Sequence, residues 1–216
     1  MKASEYIKTG FTDFDKEIGG LRKGSLMLLG ARPAMGKITL VRNIAHNIMT
    51  ENDNLNSVLF FTDNKFDEKN LFGENGKTIL VDNSSNLAET IKNEALANKA
   101  KLLITSFDKQ PSVFLVTIRG IASELNIPVI VLVNLSREYS KGKDPRPTLE
   151  DFDLNNEQLE LIDLITYLHR ESYYNSNGSE RHIAPEIGIL KNSFGKNTVV
   201  NITFDIDKMA FGNLQS

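Results

Sequence analysis

Four residues separate Ala31 from a glycine–lysine pair in the run Ala31-Arg32-Pro33-Ala34-Met35-Gly36-Lys37-Ile38-Thr39. These residue types at this spacing suit phosphate. Small residues let successive backbone N–H groups turn toward one anion, a helix opening at the lysine adds its positive end, and the ammonium reaches the terminal phosphates. The bare pattern arises by chance in about one in ten chains of this length, so its surroundings carry the argument. Residues 25–30 (SLMLLG) are almost continuously apolar, and Leu40, Val41, Ile44, Ala45, Ile48 and Met49 fall on one helical face. A buried strand, a loop and an amphipathic helix in succession are what a phosphate cradle needs; an ordinary strand–helix turn with a solvated lysine is the plainer alternative. We read Ala31 through Thr39 as the residues contacting a phosphate-bearing cofactor, and Lys37 as the catalytic one among them.

Magnesium is a separate matter. The hydroxyl that usually ligates it follows the lysine directly, and here that position is Ile38. An alkyl side chain coordinates nothing, and Thr39 lies about 100° further round the helix. The phosphate cradle is therefore expected without its metal ligand. His46, His169 and His182 are scattered without metal-type spacing, so no metal-binding residue is expected.

Other elements must hold this loop in place. Residues 57–62, 78–82, 101–105 and 128–134 are also nearly all apolar, as strands covered on both faces are. Between them Leu87, Ile91 and Ala95 repeat every four residues, and residues 113–125 carry a similar stripe. Strand–helix alternation predicts βαβ units and a mainly parallel sheet flanked by helices. Residues 162–169 and 186–191 read as later strands, and the alternation in 198–205 suits a half-exposed edge strand bearing Asp205, with Asp207 just beyond. Residues 140–147, with Lys141, Lys143 and Arg146 following Arg137, read as a basic loop; residues 173–180, with Tyr173 and Tyr174, read as a polar turn.

Composition narrows the choice further. The 216 residues hold 25 basic and 28 acidic side chains, a net charge of −3, and no cysteine, which excludes disulfides, thiolate metal sites and cysteine nucleophiles. That charge argues against a generally basic nucleic-acid coat. No apolar run nears the ~20 residues needed to cross a bilayer, and the opening residues lead into no signal-peptide core. A cytoplasmic location without membrane contact is expected, with residues 1–216 forming one domain.

The sequence resembles a known family over nearly its whole length. Thr9-Gly10-Phe11-Thr12-Asp13-Phe14-Asp15, Gly19-Gly20-Leu21, Gly24 and Ala31-Arg-Pro-Ala-Met-Gly-Lys37 are similar to the opening of the RecA-like motor domain of DnaB-type replicative helicases. The likeness continues in Glu124 to Val129, Asn134-Leu-Ser-Arg137, Arg146-Pro147, Asp163-Leu-Ile165, Arg170-Glu171 and residues 186–211, with a shortened stretch around 65–76. The family's N-terminal domain and linker helix have no counterpart in it. The resemblance implies a RecA-like α/β fold and a hexameric, ATP-driven motor on single-stranded DNA.

Its chemical positions are altered. Where the family has a water-activating glutamate, this chain has Asn64, with Asp63 beside it; the Walker B aspartate is matched by Thr105, with Asp108 three residues on; the glutamine sensor is Asn134. The Lys-x-Arg finger becomes Lys191-Asn192-Ser193, and the DNA-contacting loop becomes the acidic run 149–157. Loss of an arginine finger alone costs a phosphoryl-transfer enzyme about 10³–10⁵ in rate. With the metal ligand, water activator, Walker B acid and finger all replaced, the expectation is a helicase core with impaired hydrolysis that binds nucleotide and only weakly single-stranded DNA. It would form a homo-oligomer or pair with a helicase or RecA-like partner. The alternative is a non-enzymatic module that regulates or loads such a partner.

Overall fold

The computed structural model describes residues 6–52, 58–62, 77–80, 87–106, 112–136, 144–170 and 184–214. A short ribbon of β1 (Tyr6–Ile7) and β2 (Leu21–Arg22) encloses helix α1 (Thr12–Ile18). The main sheet follows, from β3 (Leu26–Ala31), β4 (Val58–Thr62), β5 (Lys77–Leu80), β6 (Leu102–Ser106), β7 (Val129–Asn134), β8 (Leu164–His169), β9 (Glu186–Asn192), β10 (Val199–Asp205) and β11 (Ala210–Asn213). Its helices are α2 (Lys37–Asn52), α3 (Leu87–Ala97), α4 (Ser112–Leu125) and α5 (Asn156–Leu161). The strand order is β11-β10-β9-β8-β3-β7-β6-β4-β5, parallel from β8 to β5 and antiparallel from β8 to β11.

Strand β3 sits at the centre because it has no face for water. Met27, Leu29 and Ala31 join the apolar cluster under α1 and α2, while Leu26 and Leu28 join the one under α3 and α4. Strand β7 divides the same way, Ile130 and Leu132 against Val129 and Val131. Continuous apolar runs of this kind are what sheets covered on both faces require.

The expected strands and helices are all present within a few residues of their predicted ends, except that residues 57 and 81–82 lie outside the described ones. Sequence did not mark α1, the β1–β2 ribbon, α5 or β11, each too short to show a period. The expected edge strand is accordingly corrected. Strand β10 alternates in burial as predicted, but β11 pairs beyond it and forms the edge. That edge is covered: Asn43 of α2 accepts the Phe211 N–H at 2.9 Å, and Asn213 accepts from Thr12 N–H at 2.7 Å and donates to the Gly10 carbonyl. Asp205 is likewise a turn residue rather than a bare surface charge, accepting the Asp207 and Lys208 N–H groups at 3.0 Å each.

Tyr167 of β8 lies across Gly188 of β9, its register partner. Its hydroxyl donates to Glu186 at 3.0 Å, which fixes the ring there. A methyl group at Gly188 would sit 2.1 Å from that ring. Gly188→Ala is expected to cost about 2–3 kcal/mol by overpacking and to lower the melting temperature by about 4–12 °C, measured by thermal denaturation of both proteins.

Candidate functional site

The loop after β3 turns twice through the left-handed region, at Ala34 (φ 65°) and Gly36 (φ 94°). Alternation of this kind brings successive N–H groups toward one point, the geometry of an anion nest. Alanine takes that conformation at a cost of about 1 kcal/mol or more. At Gly36 a side chain would also be crowded, since a Cβ would lie 3.2 Å from the Phe211 ring. Helix α2 begins at Lys37, with the Leu40 N–H bonded to the Gly36 carbonyl at 2.9 Å. The loop therefore meets the positive end of a 16-residue helix.

Asn134 reaches the same place from the neighbouring strand. It is the register partner of Ala31, and its amide oxygen accepts a hydrogen bond from Lys37 Nζ. Arg170, directly after β8, completes the surroundings. Its guanidinium lies 3.9 Å from the Phe204 ring centroid and 6.0 Å from that of Phe211, with Nη1 on the Gly36 side. Burial lowers its pKa, and its Nε is buried with no hydrogen-bond partner among the described residues. Phe204 and Phe211 were not singled out from sequence as site residues. The only signal at Phe204 was alternation in a late strand, which reads as packing, and Phe211 stands in a strand too short to give one.

The predicted nucleotide residues do not all face this cradle. Met35 is buried at 1 % exposure, and Ile38 packs against the apolar cluster under α2. Arg32, expected among the phosphate-side residues, is also turned inward. Its guanidinium donates to the Ser136 carbonyl, to the Pro145 carbonyl at 3.4 Å and to Asp151 at 3.3 Å. Ala31, Pro33, Ala34, Gly36, Lys37 and Thr39 make up the rest of the loop and first helical turn.

The residues at the metal position do not fit magnesium. Ile38 is alkyl, and Thr105 offers only a hydroxyl, 1 % exposed and without a hydrogen-bond partner among the described residues. Those residues hold no group of three or more His, Asp or Glu side chains able to hold a metal ion. Asp63, Asn64 and Asp108 lie outside the described residues, as do His182, Tyr173 and Tyr174. Lys191 caps backbone carbonyls, donating to Leu159 and, at 2.6 Å, to Ile162. It stands with Ser193 at the opposite end of β8 from the phosphate loop, since Asn192 pairs with Leu164. Of the predicted basic loop, Arg137, Lys141 and Lys143 are outside the described residues. Arg146 is engaged by Glu186 at 2.8 Å and by Asp144 at 3.2 Å, and these carboxylates hold it firmly protonated.

An α/β sheet with a phosphate-type loop after its central strand and antiparallel strands on one flank defines a RecA-like ATPase domain fold. Residues 6–99 and 106–213 match the DnaB-like helicase C-terminal domain, and the chain belongs to that family. It is 24 % identical over 259 residues to the replicative DNA helicase DnaB of Geobacillus stearothermophilus. It is 25 % identical over 258 residues to the replicative DNA helicase DnaC of Bacillus subtilis. Each alignment takes in 97 % of this chain and 57 % of the relative, so the chain spans little more than half their length. Among solved structures, one ATPase domain superposes with a TM-score of 0.78 at 23 % identity, covering 99 % of this chain and 94 % of that one. A DnaB-like replicative helicase, solved with its interactions with primase, gives 0.77 at 22 % identity, covering 99 % and 65 %. None of the described helices is long and apolar enough to cross a membrane.

The family's Thr-Gly-Phe opening also has a visible task here. Asp15 accepts from the Thr9 N–H and hydroxyl, at 2.9 Å each, and from Gly10 N–H at 3.1 Å, while Asn47 of α2 donates to the Thr9 carbonyl at 3.0 Å. Burial nevertheless raises the Asp15 pKa above its usual value, the hydrogen bonds offsetting part of the effect. The folded protein then binds this proton more readily than the unfolded chain does, so the Asp15 contribution to stability declines as pH rises from the unfolded to the folded pKa. Urea denaturation of wild type and Asp15→Asn from pH 3.5 to 6 should show the wild type losing ground to the variant as pH increases. A difference independent of pH contradicts it.

Proposed function

We propose that residues 1–216 form one RecA-like domain, the core of a DnaB-like replicative helicase in DNA replication, which holds ATP on the loop from Ala31 to Thr39 and hydrolyses it poorly. The observation that carries this reading is Ile38, a half-buried alkyl side chain packed against the core at the position of the usual metal ligand. Thr105, buried where the resemblance expects an acid, supports the same conclusion. Lys37 and the N–H groups of Ala34 to Ile38 would hold the phosphates; the Arg170–Phe204 stack beside Gly36 offers a flat surface for the base. A cytoplasmic setting and assembly with further copies or a RecA-like partner follow from the family.

Isothermal titration is expected to give the same ATP affinity with and without Mg²⁺, and Ile38→Thr is expected to make binding magnesium-dependent. DNA-stimulated hydrolysis should be negligible. Robust magnesium-dependent turnover that Lys37→Ala abolishes would restore an active motor and sink this reading. Phe204→Ala should weaken ATP binding about 5- to 150-fold, the range of base–aromatic stacking, while leaving inorganic tripolyphosphate binding unchanged.

One feature favours the second reading, a non-enzymatic module acting on a helicase or RecA-like partner. Glu150, Asp153 and Glu157 are exposed where the resemblance expects DNA contacts, and carboxylates there repel phosphates. Light scattering after size exclusion separates the two: a hexamer that binds single-stranded DNA supports the motor, and a monomer or dimer without DNA affinity supports the module.

A further inference from the structure

Arg32 lies inside the phosphate loop, yet its side chain is only 2 % exposed and its guanidinium is directed into the protein. It reaches three separate stretches of chain: Ser136 just after β7, Pro145 next to Arg146, and Asp151 in the 3-10 helix Leu149–Phe152. Asp151 is itself fixed, because it accepts the Thr148 N–H at 2.7 Å and closes a capping box at the start of that helix. A second contact comes from the next residue of that helix. The Phe152 ring is so close to Gly30 that a Cβ there would lie 2.5 Å from it. The same short helix thus holds both neighbours of Ala31, the Gly30 backbone and the Arg32 side chain, at the junction of strand and loop. A planar five-donor guanidinium suits this task where the point charge of a lysine does not.

Resting on the nucleotide reading above, we propose that Arg32 is a positioning residue that couples occupancy of the phosphate loop to residues 148–161. It touches no phosphate. It sets the path of the loop and passes any displacement of that loop, through Asp151, to the helix that begins the acidic segment. Interiors this closely packed shift between discrete arrangements rather than deform smoothly, so a change in the loop is felt by the helix seated on it. That makes the surface bearing Glu150, Asp153 and Glu157 responsive to nucleotide.

The test combines ATP titration with amide hydrogen exchange over residues 148–161, in wild type, Lys37→Ala, Asp151→Asn, Arg32→Gln and Arg32→Lys. Asp151 has no part in the cradle, so Asp151→Asn isolates the coupling even if Arg32→Gln fails to fold. Asp151→Asn is expected to weaken ATP binding about 3- to 30-fold, the range of coupling through intermediate residues. Adding it to Arg32→Gln should weaken binding no further, and Arg32→Lys should recover only part of the loss. ATP should slow exchange across 148–161 in wild type and not in Asp151→Asn, an effect that a merely structural ion pair would not produce. Wild-type affinity together with wild-type protection in Asp151→Asn, while Lys37→Ala loses binding, overturns the coupling alone. Absence of ATP binding by the wild type overturns the nucleotide reading and this inference with it.

Discussion

Strand β3 has no exposed residue from Leu26 to Ala31, and every polar group at its two ends has to be satisfied by something brought to it. At its start, Asp163 accepts the Leu26 N–H at 2.9 Å and pairs with Arg119, which also donates to the Gly24 carbonyl at 3.1 Å. At its end, the Ala31 carbonyl accepts the Leu135 N–H at 3.0 Å. The strand can therefore present chemistry only from the loop beyond its carboxyl end. That is why α2, β7, the chain after β8 and the 148–152 turn all converge there. An unsatisfied polar group in such an interior costs about 1–3 kcal/mol, so the convergence is a condition of folding as well as of function.

The same constraint sorts the charges at that edge. Arg32 is matched by Asp151, and Arg146 by Glu186 and Asp144. Glu186, 4 % exposed, also takes the Tyr167 hydroxyl, whose pKa is driven upward by burial and by that carboxylate. A chain with 28 acidic and 25 basic residues has carboxylates to spare for this. Arg170 is treated differently: its described neighbours are the Phe204 and Phe211 rings, which attract a cation without neutralising it.

The frame of this architecture was open to sequence reasoning because burial on both faces leaves an unmistakable apolar run, and because α2, α3 and α4 are long enough to show a helical stripe. What escaped were short elements fixed by tertiary contacts. Strand β11 offers four residues, and its place at the sheet edge rests on Asn43 and on the Asn213 contacts from over 200 residues earlier in the chain. Helix α5 is set by the Asn155–Gln158 capping box rather than by any periodicity. At the site, spacing singled out the loop after β3 but could not orient Arg32. Whether a loop arginine faces an anion or the interior depends on acceptors at Ser136, Pro145 and Asp151, and no local pattern reveals those.

The two classes of feature near the loop bear differently on stability. Ile38 in the apolar cluster is favourable for folding whatever the protein binds. Ala34 held at φ 65° and the buried Nε of Arg170, without a partner among the described residues, are unfavourable in the free protein. A phosphate ligand in the nest would offset the first, giving the N–H groups of that turn an acceptor. Of the described residues near the loop, Thr105 is buried and Ile38 packs against the core, while Ala34 carries backbone strain.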